Sequence, residues 1–149
     1  MKIHGISVFS KKPIEIKIDN GFISDINSWY DDRQNLPYIS PGFFDLQVNG
    51  YKGSDYSLKN FSEEHLKNIV NHLVASGTIQ HIPTIISSPQ NRIMRNLKVI
   101  SKAINSSTDI RNTIPGVHIE GPFISPEDGP RGCHDSSFIR NPNYKEFEK

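Results

Sequence analysis

"SEEHLKNIVNHLVASGTIQHIPTIISSP", Ser62–Pro89, contains two periodicities in succession. Leu66, Ile69, Val70, Leu73 and Val74 recur at three- and four-residue spacing, which predicts one apolar face of a helix. Ser62 suits the N-cap, Glu63 and Glu64 suit the positive end of the helix dipole, and Gly77 suits the C-terminal stop. The nine residues TIQHIPTII that follow are mostly apolar and β-branched, too short for a second helix, and read as a buried strand. A strand that is apolar on both faces belongs in a sheet covered on both sides, which is the signature of parallel α/β architecture.

The same alternation extends in both directions. Upstream, "YISPGFFDLQVNG" (Tyr38–Gly50) has a Pro-Gly break and then a strand, Phe43–Asn49. Downstream, "SPQNRIMRNLKVISKAIN" (Ser88–Asn105) predicts a helix capped by Ser88 with Pro89 in its first turn, and an apolar stripe of Ile93, Leu97, Ile100 and Ile104. "TIPGVHIE" (Thr113–Glu120) reads as a third strand. Strand, helix, strand, helix, strand implies a parallel sheet with right-handed crossovers. The first residues differ. Residues 2–8 alternate, and "IEIKIDNGFISDIN" (Ile14–Asn27) places Asp19-Asn20-Gly21 between two alternating runs, a strong hairpin signal. Two segments follow: an antiparallel one at 1–40 and an α/β one at 41–149.

Three such strands begin either a doubly wound sheet or a (β/α)8 barrel. The chain has 149 residues, against the ~250 a barrel needs, and it stops in "NYKEFEK", which reads as the start of a helix. The expectation is an incomplete barrel. Composition excludes several classes. A net charge of +1 with dispersed Lys and Arg offers no stripe for nucleic acid. No apolar run approaches the length of a membrane span, and the N-terminus lacks a signal-peptide core, so the expected location is cytoplasmic. One cysteine, Cys133, excludes an internal disulfide and a cysteine-rich zinc module.

In parallel α/β folds ligands gather at the carboxyl ends of the strands. Gln47 and Asn49 end the first strand on one face, Thr84 ends the second, and His118 and Glu120 end the third on one face. Gln47 and Asn49 either bond the glycine-containing loop that follows or serve a ligand. Thr84 and His118 read more readily as structural hydrogen-bonding residues. Glu120 is the sharpest candidate, because a carboxylate ending an apolar strand carries a desolvation cost unless it is paired or bound to a metal. His134, in a loop with Gly129, Pro130 and Gly132, divides evenly between a ligand contact and a surface residue. By residue type alone Cys133 reads as inert, His65 and His72 as solvated, and His81 as packed.

"SPGFFDLQVNGYKG" (40–53) and "VHIEGPFISPEDGPRGCHD" (117–135) resemble two N-terminal signatures of the N-acetylglucosamine-6-phosphate deacetylases, in the amidohydrolase superfamily, and "GTIQHIPTIISSP" (77–89) is similar to their second-strand segment. The resemblance implies a (β/α)8 barrel whose first three βα units lie here, preceded by part of a small β-sandwich. It implies a metal-dependent hydrolase that removes the N-acetyl group of an amino-sugar phosphate. Glu120 would be the carboxylate metal ligand. Gln47 and Asn49 stand where many amidohydrolases have His-x-His, beside the metal-bound water, with His118 near them. Cys133 and His134 match the sugar-contacting segment. Zinc is the first expected metal, with iron, cobalt and manganese as others, and the full-length form is expected to be a homodimer. The catalytic aspartate and two histidine ligands of the family have no match in this chain and are expected beyond Lys149, so this length is expected to be inactive. Two alternatives stand beside this reading: a non-catalytic truncated remnant, and another amidohydrolase, which His-x-His on the first strand would favour and Gln47 and Asn49 do not.

Overall fold

The computed structural model describes residues 1–30 and 35–148. They form two compact units, Met1–Pro41 and Gly42–Lys149.

The first unit is a four-stranded sheet in the order β3-β2-β1-β4, built from β1 (Lys2–Ser7), β2 (Pro13–Asp19), β3 (Phe22–Ser28) and the two-residue β4 (Tyr38–Ile39). β1, β2 and β3 are antiparallel neighbours, while β4 runs parallel to β1. The expected hairpin is present. Asn20 and Gly21 both take positive φ, 52° and 82°, the backbone of a tight turn that matches strand twist.

The second unit carries β5 (Phe43–Val48), a small ribbon of β6 (Gly50–Tyr51) and β7 (Ser54–Asp55), α1 (Glu63–Ala75), β8 (Thr78–Ile86), α2 (Gln90–Ser106), α3 (Thr108–Thr113), β9 (His118–Glu120), a 3-10 turn at Ser136–Phe138 and α4 (Tyr144–Phe147). β5, β8 and β9 form one parallel sheet in that order, with α1 and then α2 and α3 in the crossovers, as the alternating pattern predicts. α1 starts at Ser62, whose hydroxyl accepts the His65 amide, and ends into Gly77 at φ 92°.

Three local expectations need correction. Ser88 does not cap α2: the Pro89 carbonyl takes the first helical bonds, from Arg92 and Ile93, and Ser88 is buried instead. Val74 is not on the core face; it is 47% exposed, because Leu66, Ile69, Val70 and Leu73 already fill that stripe. The third strand is also shorter than "TIPGVHIE", because Ser107 caps a further short helix that takes Thr113.

The core lies between the sheet and its helices, where Leu66, Ile69, Leu73, Ile85, Ile93 and Ile100 pack with Val48 and Tyr56. Asn96 is fully buried on the inner face of α2 and is satisfied there: its amide donates to the Tyr56 carbonyl at 2.8 Å and the Leu58 carbonyl at 3.1 Å. The outer edges of β5 and β9 have no strand partner among the described residues, and Phe43, Leu46 and Ile119 are exposed along them.

Candidate functional site

Pairing aligns Thr84 with His118 and Ile86 with Glu120. Ile85 points into the helix-covered core, so alternation sends Thr84, His118 and Glu120 to the other face. There the Thr84 hydroxyl and His118 Nδ1 stand 3.5 Å apart. β5 reaches the same face through an irregularity. Asp45 pairs with His81 and Val48 with Pro83, so Leu46 and Gln47 together oppose a single residue of β8. This is the two-against-one count of a β-bulge, which re-aims a side chain. The Asp45 carboxylate accepts the Gln47 amide N–H at 3.1 Å and closes the bulge.

Gln47 thereby reaches Glu120. Its Nε2 donates to Glu120 Oε2 at 3.1 Å. The other carboxylate oxygen, Oε1, faces His134 Nε2 at 3.4 Å. His134 arrives from the loop after β9, which folds back so that the imidazole is 5% exposed. Arg131 fastens the loop, donating to the His134 carbonyl at 2.9 Å and to the Asp128 carboxylate at 2.8 Å. The rear of the imidazole meets Ser87, just past the end of β8: the hydroxyl lies 2.8 Å and the backbone amide 3.3 Å from Nδ1. His134 is therefore a buried partner of the strand ends and not a surface residue.

The sheet thus brings Gln47, Glu120 and His134 together, the first two joined by a hydrogen bond and the last two by a 3.4 Å charge contact, with His118 on the same face beside Thr84. It does not bring in the other two candidates. Asn49 lines, with Asp45, Gln47 and Tyr51, a recess of about 390 Å³ that neither Glu120 nor His134 lines. Cys133 is exposed, although its neighbour His134 is buried. Sequence reasoning missed Ser87 and Asp45. Ser87 carried a usable signal, since it follows a strand at its carboxyl end. Ser87, His134 and Glu120 also make a hydroxyl–imidazole–carboxylate chain, but Ser87 is 3% exposed. No carbonyl substrate reaches its hydroxyl, and nucleophilic hydrolysis by that serine is not supported.

A second buried pair sits on the helix side. The Tyr56 hydroxyl and His81 Nε2 are 2.7 Å apart, and His81 Nδ1 has no hydrogen-bond partner among the described residues. Burial pushes the Tyr56 hydroxyl up and the His81 imidazole down to about 4, against a smaller upward pull from Asp45. Both groups stay neutral at pH 7, and neither opens to solvent.

Among the described residues, no group of three His, Cys, Asp or Glu side chains could hold a metal ion. Glu120 offers one carboxylate, and a catalytic zinc site uses three protein ligands. The donor set present does not fit a tightly held ion by itself.

No protein-family model matches the chain. An N-acetylglucosamine-6-phosphate deacetylase of Caenorhabditis elegans is 36% identical over 105 residues, 68% of this chain and 24% of that protein. The crystal structure of the N-acetylglucosamine-6-phosphate deacetylase of Pasteurella multocida superposes with a TM-score of 0.78 at 26% identity, over 98% of this chain and 40% of that one. This chain is homologous to the N-terminal portion of the N-acetylglucosamine-6-phosphate deacetylases. It spans about a quarter of the length of the curated relatives it matches. A Mycobacterium smegmatis enzyme of the same name, solved as a variant in complex with N-acetyl-D-glucosamine-6-phosphate, shares the fold with a TM-score of 0.72 at 19% identity, over 91% of this chain and 35% of that one. No helix among the described residues is long and apolar enough to cross a membrane.

Proposed function

We propose that this chain forms the first three βα units of a (β/α)8 barrel (41–149) behind a β-sandwich segment (1–40), and that the assembled enzyme removes the N-acetyl group of an amino-sugar phosphate, releasing acetate and the free amine. The observation that carries the reading is the meeting of Gln47, Glu120 and His134 at the strand ends in a chain homologous to deacetylases of that sugar phosphate.

Amide hydrolysis needs an electrophile for the developing oxyanion and a base for the attacking water. This chain supplies binding and orientation. Glu120 is the metal-ligand candidate, and the Gln47 amide holds its Oε2 oxygen in place. His118 lines the same face and His134 lies on the sugar side; Asn49 and Cys133, which stand outside the cluster, are assigned to the metal-bound water and to the sugar by resemblance alone. A divalent metal, zinc first with iron, cobalt or manganese as others, would supply the electrophile. The general base and the remaining ligands would come from outside the residues described. We place the enzyme in the cytoplasm as a homodimer acting on a small molecule, with no nucleic-acid or membrane partner.

A second reading is a non-catalytic remnant, favoured, among the described residues, by the lack of a three-ligand group and by the unpaired edges of β5 and β9. Intact mass in the native source separates the two. A polypeptide near ~40 kDa, the size of a full barrel with its sandwich, that carries metal and releases acetate from N-acetylglucosamine 6-phosphate supports the enzyme. A product of 16.9 kDa without metal or turnover supports the remnant.

A further inference from the structure

We infer that Ser87 is a positioning residue that fixes His134 as an N–H donor at Nε2, aimed at the Glu120 end of the site. The inference rests on the reading of His134 as a sugar contact, but its evidence is geometric and separate.

A backbone amide can only donate. The Ser87 amide lies 3.3 Å from His134 Nδ1, so Nδ1 must present its lone pair there. The Ser87 hydroxyl, 2.8 Å from the same nitrogen, rotates to donate as well. A neutral imidazole carries one proton, and with Nδ1 accepting, that proton sits on Nε2. Nε2 lies 3.4 Å from Glu120 Oε1, close enough for the carboxylate's negative charge to favour a proton on that nitrogen. The other hydrogen-on-nitrogen arrangement opposes two N–H groups at Nδ1 and turns a bare Nε2 lone pair toward a carboxylate oxygen, which is repulsive at both ends. The ring is 5% exposed and Ser87 3% exposed, so water does not compensate the Ser87 end.

Gly121 makes the contact possible. It holds φ 81°, and a Cβ built on it would stand 2.2 Å from Ser87 Oγ and 3.5 Å from His134 Nδ1. The residue after Glu120 therefore has to lack a side chain for Ser87 to sit behind the imidazole. The consequence for the site is defined. His134 presents one N–H and no acceptor, so it recognises an acceptor oxygen, such as a sugar oxygen lone pair or a carboxylate, and cannot remove a proton from a substrate hydroxyl.

The test is nitrogen-15 NMR of the histidine-labelled chain. The His134 resonances are assigned by their loss in His134→Gln. The expected spectrum shows one tautomer, a slowly exchanging Nε2–H, and an N–N correlation across the hydrogen bond from the Ser87 amide to Nδ1. Ser87→Ala should move the tautomer ratio toward Nδ1–H by roughly three- to tenfold, what one neutral hydrogen bond is worth. A His134 that is Nδ1–H in the unaltered chain, or evenly mixed, overturns the inference without any variant having to fold. A folded Ser87→Ala with an unchanged ratio overturns the role of the hydroxyl. In an active full-length enzyme Ser87→Ala should raise KM several-fold with kcat nearly unchanged. Absence of any deacetylation counts against the function proposed above and leaves the tautomer result standing, whereas a wrong tautomer with normal deacetylation sinks only the positioning role.

Discussion

Gln47 and Glu120 are hydrogen-bonded at 3.1 Å although β8 lies between their strands. The bond spans the face of the sheet opposite its helices and is made possible by the bulge after Asp45. Gln47→Glu would set two carboxylates side by side, and like charges at that range cannot both ionise freely. The pair should titrate in two steps, the upper one above the ordinary glutamate value. Carbon-13 NMR of the glutamate carboxyls in Gln47→Glu reads this directly, and two independent, ordinary titrations would show that the side chains do not meet in solution.

The buried Tyr56–His81 pair makes stability pH-dependent with a defined sign. The His81 pKa is depressed from 6.5 to about 4, so the unfolded chain takes up a proton that the folded chain refuses. Stability is full above pH 6.5, falls as the pH drops toward 4, and levels off below. The loss is about 3 kcal/mol at most. Urea denaturation across that range should show this slope, and His81→Phe should flatten it. A wild-type profile that is level between pH 6.5 and 4 would contradict the buried, neutral imidazole.

How much of this was legible in the sequence varies with distance along the chain. Ser62, the apolar stripe of α1 and Gly77 are local signals, and the helix they bound is where they place it. The Asn20-Gly21 turn is equally local. Glu120 stood out because its strand was otherwise apolar. The contacts that make the cluster were not legible: Gln47 meets Glu120 across 73 positions, and Ser87 meets His134 across 47. Asn96 was also unseen, although its spacing from Ile93 and Ile100 puts it on the apolar face of α2. An asparagine there signals a buried partner, but nothing local says that the partners are carbonyls of Tyr56 and Leu58.

That asparagine predicts a large stability effect far from the cluster. Asn96→Ala leaves the Tyr56 and Leu58 carbonyls without their donor and opens a small void. The expected cost is about 2–5 kcal/mol, read as a lower urea midpoint. Asn96→Asp should be at least as damaging at neutral pH, because a carboxylate cannot donate to either carbonyl. A cost below ~1 kcal/mol for Asn96→Ala would mean that water takes over both bonds.

Gly21 and Gly121 share a left-handed φ, 82° and 81°, but not the same surroundings. Nothing lies within 4 Å of a Cβ at Gly21, whereas one at Gly121 meets Ser87 Oγ at 2.2 Å. Gly21→Ala should therefore cost only the left-handed backbone penalty, about 1–2 kcal/mol. Gly121→Ala should cost that and also drive Ser87 off the imidazole, releasing His134 from its buried position. Thermal unfolding of the two variants compares the totals. Hydrogen exchange at the Ser87 amide isolates the local part: it should quicken in Gly121→Ala beyond what the fall in global stability accounts for, and only in step with it in Gly21→Ala. Equal unfolding costs, with no excess exchange at Ser87, would mean that the loop after Glu120 adjusts and that the close approach at Gly121 does not constrain His134.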